Sequence, residues 1–133
     1  MRKMVGVVLA LVLTGNIAWA ADNYTGKFTN KSGELSCKMV PGNKIKFLIF
    51  TSVGMQSCIL GKYESVFANL TDERHASYKG DGKCTIDLSF DKGKVTVKTR
   101  NCDSAYCGIS AAGSMDGVYM KKSDTPEFYG TGG

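Results

Sequence analysis

The chain reads as an all-β protein: a small antiparallel meander barrel of about eight strands, braced by disulfides, with a two-sheet sandwich as the alternative. Three observations carry that reading. In Lys83–Phe90, Cys84, Ile86, Leu88 and Phe90 alternate with polar residues, Asp91-Lys92-Gly93 turns the chain, and Val95 and Val97 alternate with Lys94, Thr96 and Lys98. Period-two patterning on both arms of a short glycine turn marks a hairpin with one buried and one wet face. Glycine is frequent, at 16 residues against 2 prolines, and no stretch repeats its apolar residues at helical spacing. Nearly every link between candidate strands is short enough to be a hairpin, which favours the meander.

The elements follow in order. Tyr24–Phe28 and Leu35–Val40 are short candidate strands, and Pro41-Gly42-Asn43 is a strong turn, because proline presets one turn position and glycine accepts positive φ. Lys44–Thr51 carries Ile45, Phe47 and Ile49 on one face and Leu48 and Phe50 on the other, so it is expected to be central or pinned at one end. A glycine-containing loop over Ser52–Ser57 precedes an extended segment over Cys58–Tyr63. Val66–Leu70 and His75–Lys79 are weaker strands around the polar link Thr71–Arg74, and Gly80-Asp81-Gly82 is a turn. The hairpin described above comes next. A cysteine-bearing loop over Asn101–Gly108 leads to a last strand over Ile109–Met120. The single barrel domain is expected over residues 21–122, with a flexible polar tail over 123–133.

Residues 1–20 read as a signal peptide. Arg2 and Lys3 give a positive start, Met4–Leu13 is apolar, and Ala18-Trp19-Ala20 is a small-x-small cleavage site before Ala21. The apolar run is too short to hold a membrane, and no lipid-accepting cysteine follows it. The expectation is an exported protein without a stable membrane anchor, periplasmic or extracellular. Cleavage removes two of the 17 basic residues, which leaves a mildly basic chain with its lysines spread along strands. That pattern suits a solvated face or a weak preference for anionic partners, and no nucleic-acid motif accompanies it.

Export licenses disulfides, and five cysteines form an odd framework. Cys102 and Cys107 share one loop and are expected to close a small ring. Cys58 with Cys84 would bridge neighbouring strands and leave Cys37 as a buried small hydrophobe, while Cys37 with Cys58 competes. The spacing is not Cys-x-x-Cys and nothing places a cation beside a thiol, so neither redox nor zinc chemistry is expected.

The search for catalysis finds no constellation. His75, the single histidine, lies in the most polar link and reads as a solvated loop residue. The acids are scattered in turns and on wet faces rather than paired across a cleft. No glycine-rich loop opens a helix. No catalytic, cofactor-binding or metal-ligating residue is assigned, and the chain is expected not to be an enzyme. The triplets at Asn23, Asn30 and Asn69 that match the glycosylation pattern read as chance in a chain with a bacterial-looking signal. Phe47, Phe90 and Tyr119 are assigned to the core. Tyr24, Tyr63, Tyr78 and Tyr106 are expected to be partly exposed, and Tyr106 on a braced loop is a candidate interface anchor.

Two stretches carry a resemblance: Cys84–Phe90 with Gly93–Val97, and Cys102-x4-Cys107-Gly108 followed by Gly117-Val118-Tyr119. Together, over Gly80–Lys122, they resemble small exported β-barrel proteins of Gram-negative bacteria associated with periplasmic lysozyme inhibitors. The resemblance implies a periplasmic, non-catalytic barrel that binds a protein by pushing a loop into an acidic cleft. In the C-type inhibitor family that loop reads Ser-x-Ser-Gly-x-x-Tyr. Here Ser110-Ala111-Ala112-Gly113 is similar, but Ala112 replaces a serine, Tyr119 comes later than the family spacing, and the family's tryptophan strand is missing. Carried over, the motif makes Ser110, Gly113 and Tyr119 candidate partner-binding residues beside Tyr106. The function expected is inhibition of a lysozyme-like hydrolase. The alternatives are immunity against a secreted toxin and carriage of a small apolar ligand inside the barrel. A protein partner is expected, and the protein itself is a monomer or a dimer.

Overall fold

The computed structural model describes residues 24–53, 56–80, 82–102, 106–107 and 115–128. Among them run nine strands: β1 (Gly26–Asn30), β2 (Gly33–Val40), β3 (Lys44–Val53), β4 (Gln56–Leu60), β5 (Val66–Leu70), β6 (His75–Lys79), β7 (Thr85–Asp91), β8 (Lys94–Arg100) and β9 (Gly117–Ser123). Eight of them close an antiparallel barrel in the order β2-β1-β9-β8-β7-β6-β5-β3, with β3 paired back onto β2. The expected meander barrel is therefore the architecture, and the sandwich is not.

The ninth strand, β4, completes the pairing of β3, which is hydrogen-bonded on both edges, the central position expected for Lys44–Thr51. One edge of β3 pairs with β2 along its length. The other edge is shared. Lys44–Phe47 pair with β5, and Ile49–Val53 pair with β4. Ile45, Phe47 and Ile49 point inward and are buried, while Leu48, which points outward, is buried as well. The segment expected to be a loop over Ser52–Ser57 is largely strand, since β3 runs to Val53 and β4 begins at Gln56.

Period-two alternation fills the interior. Phe28 from β1, Leu35 and Cys37 from β2, Ile86, Leu88 and Phe90 from β7, Val95 and Val97 from β8 and Tyr119 from β9 are all buried in one cluster. The β2–β3 turn places Gly42 at φ 89° and Asn43 at φ 56°, left-handed values that glycine and asparagine accept most readily. The β7–β8 register, Asp91 opposite Lys94 and Phe90 opposite Val95, matches the hairpin read from the sequence.

Several boundaries move. β1 begins at Gly26, and Tyr24 is not a partly exposed strand residue. It is fully buried at one end of the barrel, with its ring centroid 4.5 Å from that of Phe90. β9 extends through Ser123, past the domain edge expected at Lys122. Beyond it, residues 124–128 lie against the wall, where the Glu127 amide donates to Ser36 Oγ at 3.0 Å.

The cysteine pairing also differs from expectation. Cys58, Cys84, Cys102 and Cys107 are the cross-linked residues, but Cys102 does not close a ring with Cys107. The bonds are Cys58–Cys107 and Cys84–Cys102, with Cα separations of 4.2 and 4.5 Å. The second follows from the hairpin: Thr85 pairs with Arg100, so Cys84 and Cys102 emerge side by side at its open end. The first has a different origin. β4 has β3 on one edge only, and Cys107 bridges its other edge at Cys58. Cys37 stays free and buried, and burial pushes its thiol pKa upward.

Candidate partner-binding face

The barrel wall rises into a projection where β4 hands over to β5. Leu60, the end of β4, lies opposite Ile49, and Val66, the start of β5, lies opposite Phe47. A single β3 position, Leu48, is thus bypassed by the five residues 61–65, which are too many to run straight and must loop outward. Gly61 makes the exit possible. Its φ is +95°, and a Cβ there would press on the Phe47 carbonyl oxygen and lie 3.0 Å from Leu48 Cα. The loop presents Tyr63 at 81 % exposure, the most open large apolar side chain among the described residues, with Lys62 Nζ 5.4 Å from its ring centroid.

Tyr106 stands beside this loop. The Cys58–Cys107 bond pins its neighbour to β4. Its hydroxyl lies 3.4 Å from that of Tyr78, whose ring meets Phe47 edge-on at 5.4 Å. Gly80 keeps room for the pair, since a Cβ there would collide with the Tyr106 hydroxyl and approach the Tyr78 ring to 2.9 Å. Tyr106 is half-buried, so it forms the floor of the face rather than a projecting anchor.

Two hollows adjoin here. One, of about 250 Å³, is lined by Ile59–Glu64 and Tyr106. The other, of about 110 Å³, is lined by Leu48, Phe50, Ile59 and Lys62. They share Ile59 and Lys62, and Phe50, at 36 % exposure, lies directly across from Ile59. The surface therefore runs continuously from Tyr106 past Tyr63 to Phe50. It pairs aromatic area with one lysine and one glutamate, and its rigid backing is the β3–β4 ladder and a disulfide. Shallow apolar hollows backed by rigid elements are features of protein-docking surfaces.

A wider groove of about 400 Å³ on the outer side of β8 and β9 is lined by Asp87, Lys98, Arg100, Asp116 and Val118 among others. Several of its polar groups already face partners. Asp116 Oδ1 accepts from the Thr99 amide at 2.8 Å and the Thr99 hydroxyl at 2.7 Å, and Arg100 lies 3.7 Å from Asp87. It is open and offers one apolar side chain of note, Val118.

The residues singled out from the sequence thus separate. Tyr106 belongs to the face. Tyr119 does not: it is fully buried, its hydroxyl donates to the Met115 carbonyl at 2.7 Å, and burial raises its pKa to about 12. Inward-pointing alternation in β9 puts it in the core, and a partner cannot reach it. Ser110 and Gly113 lie outside the described residues. Tyr63 and Phe50 are the contributors that motif reading missed. The signal for Tyr63 was its place in a polar, glycine-led link; the signal for Phe50 was the second apolar face of β3.

His75 is exposed, with Nδ1 2.8 Å from Asp72 Oδ1. Asp72 has its pKa lowered, first by the Arg74 amide it accepts from and then by His75. Thr71–Arg74 is the surface turn; His75 is solvated as expected but opens β6 opposite Ser89 rather than lying in the loop, and no cavity among those described adjoins it. Among the described residues no group of three or more His, Cys, Asp or Glu side chains gathers. No helix among them is long and apolar enough to cross a membrane. The two disulfides fit a protein of an oxidising compartment. No family model, no curated protein and no solved structure matches the chain.

Proposed function

We propose that this is an exported, non-catalytic binding protein of the periplasm that engages a protein partner through the Tyr63–Lys62–Phe50–Tyr106 face, with a lysozyme-like hydrolase as the leading partner class. The observation that carries the reading is the solvent-exposed Tyr63, held on a short loop between two rigid strands beside a disulfide. An exposed tyrosine contributes nothing to the core. It offers a partner large apolar area at small entropic cost. The interior supports the same reading over that of a ligand carrier. Phe28, Phe47, Phe90, Tyr24 and Tyr119 converge in it, and each is buried.

The test is enzymatic. Lysozymes of several classes are assayed with and without a micromolar excess of the mature protein, and again with Tyr63→Ala. The reading expects one class to be inhibited by the wild type and inhibition to weaken at least about tenfold in the variant. It fails if every lysozyme stays fully active, or if the variant inhibits as well as the wild type.

A further inference from the structure

We propose that the outer face of β1, β2 and β3 is a docking groove for an extended protein segment that carries a carboxylate next to an aromatic side chain, and that residues 124–128 of this chain occupy it in the free protein. The site adjoins the Tyr63 face at Leu48, but its argument does not rest on the reading of that face.

The tail shows what chemistry the groove takes. After β9, Lys121 Nζ meets Asp124 Oδ1 at 2.9 Å. The chain then crosses the wall. Glu127 Oε1 lies 2.7 Å from Lys27 Nζ on β1, and the Glu127 amide donates to Ser36 Oγ on β2 at 3.0 Å. Phe128 places its ring 4.7 Å from Lys46 Nζ on β3. Three adjacent strands are thus engaged in turn by one acidic–aromatic stretch. Ser36, Lys46 and Leu48 all point outward, yet they are buried, with Lys46 only 9 % exposed. An outward lysine on a barrel wall ordinarily reaches water. This one lies against a ring, as a cation–π contact allows.

The tail does not exhaust the groove. Lys38 stands directly opposite Lys46 across the β2–β3 ladder, and Lys44 is two positions from Lys46. Like charges directly opposed repel. Lys38 and Lys44 have no carboxylate partner among the described residues. Phe67, cross-strand from Lys46, is 41 % exposed. A partner segment with further carboxylates beyond the aromatic would therefore meet positive charge that the tail leaves unmet. What the tail has in its favour is tethering, since a short linker gives it an effective concentration of order millimolar. The groove is consequently closed to weak segments and open to more acidic ones.

The experiment uses the full mature chain. In Glu127→Gln/Phe128→Ala the tail keeps its length but loses both contacts. Labelled wild type and variant are titrated with a synthetic peptide of residues 122–128, with the same peptide extended by two glutamates, and with a control in which glutamine and alanine replace its Glu and Phe. Amide shifts are followed at Ser36, Lys46 and Leu48. The variant is expected to bind the first peptide saturably, at least about tenfold tighter than the wild type. The extended peptide should bind tighter still, and the control should not bind. Equal binding to wild type and variant, or no binding to a folded variant, overturns the proposal. Concentration-dependent dimers of the wild type that disappear in the variant would assign the groove to the tail of a second copy and also overturn it. If the double variant does not keep the wild-type strand shifts, Phe128→Ala alone takes its place under the same criteria.

Discussion

Replacing Cys58 and Cys107 together by serine removes the cross-link that ties residue 107 to the edge of β4 that has no second strand. The bond spans 49 residues of sequence, so in the chain-entropy picture its loss costs about 4 kcal/mol. Cys84–Cys102 spans 18 and is worth about 3 kcal/mol on the same scale. For a domain of this size a loss of about 4 kcal/mol lowers Tm by more than about 10 °C. Urea unfolding measures the stability, and thiol titration in denaturant measures the pairing. The double variant should keep one disulfide and show a single reactive thiol, Cys37, once unfolded. Replacing Cys102 and Cys107 together should instead leave Cys58 and Cys84 without partners and raise the thiol count to three. A loss below about 1 kcal/mol would refute the stabilising role of the bond, and the reverse thiol pattern would refute the connectivity.

Tyr119→Phe removes the hydroxyl that donates to the buried Met115 carbonyl, and should cost about 1–3 kcal/mol in thermal or urea unfolding. The fold holds this tyrosine neutral, so its contribution is full below its unfolded pKa near 10 and is lost as pH rises through the folded value of about 12; the wild type should lose stability faster than the variant across that window. Asp72 has a lowered folded pKa, so its stabilising effect is present above the unfolded carboxylate value and fades as pH falls through the folded one. Asp72→Asn should therefore be slightly less stable than wild type at neutral pH, with the gap closing in acid. Tyr63→Ala should leave stability within about 0.5 kcal/mol of wild type, because the side chain packs against little, while it weakens partner binding.

The barrel was legible because its information is local. Alternation in Ile86, Leu88 and Phe90 fixes which face is inside, and Gly93 fixes the turn between two arms. The Cys84–Cys102 bond is legible in the same way, although the short spacing of Cys102 and Cys107 points to a ring instead. Counting back from Asp91 opposite Lys94 puts Cys84 across from Asn101, next to Cys102. Cys58–Cys107 is a different matter. It depends on β5 taking only the lower part of β3, and no local pattern encodes how two strands divide one edge. The candidate face escaped for the same reason. Tyr63 and Phe50 lie thirteen positions apart and meet only because the handover from β4 to β5 forces residues 61–65 outward. Tyr119 shows the opposite hazard: a family resemblance whose spacing it does not keep makes it a candidate site residue, whereas its place in the alternation of Val118, Tyr119 and Met120 puts it in the core, where the structure has it.

The most direct test of the central claim is site-specific photocrosslinking in the exporting cell. A benzophenone side chain is placed at position 63 in one strain and, as a control, at the exposed position 92 in the β7–β8 turn in another. The account predicts a single discrete protein adduct from position 63 that is missing from position 92. The same adducts from both positions, or none from position 63, would contradict it.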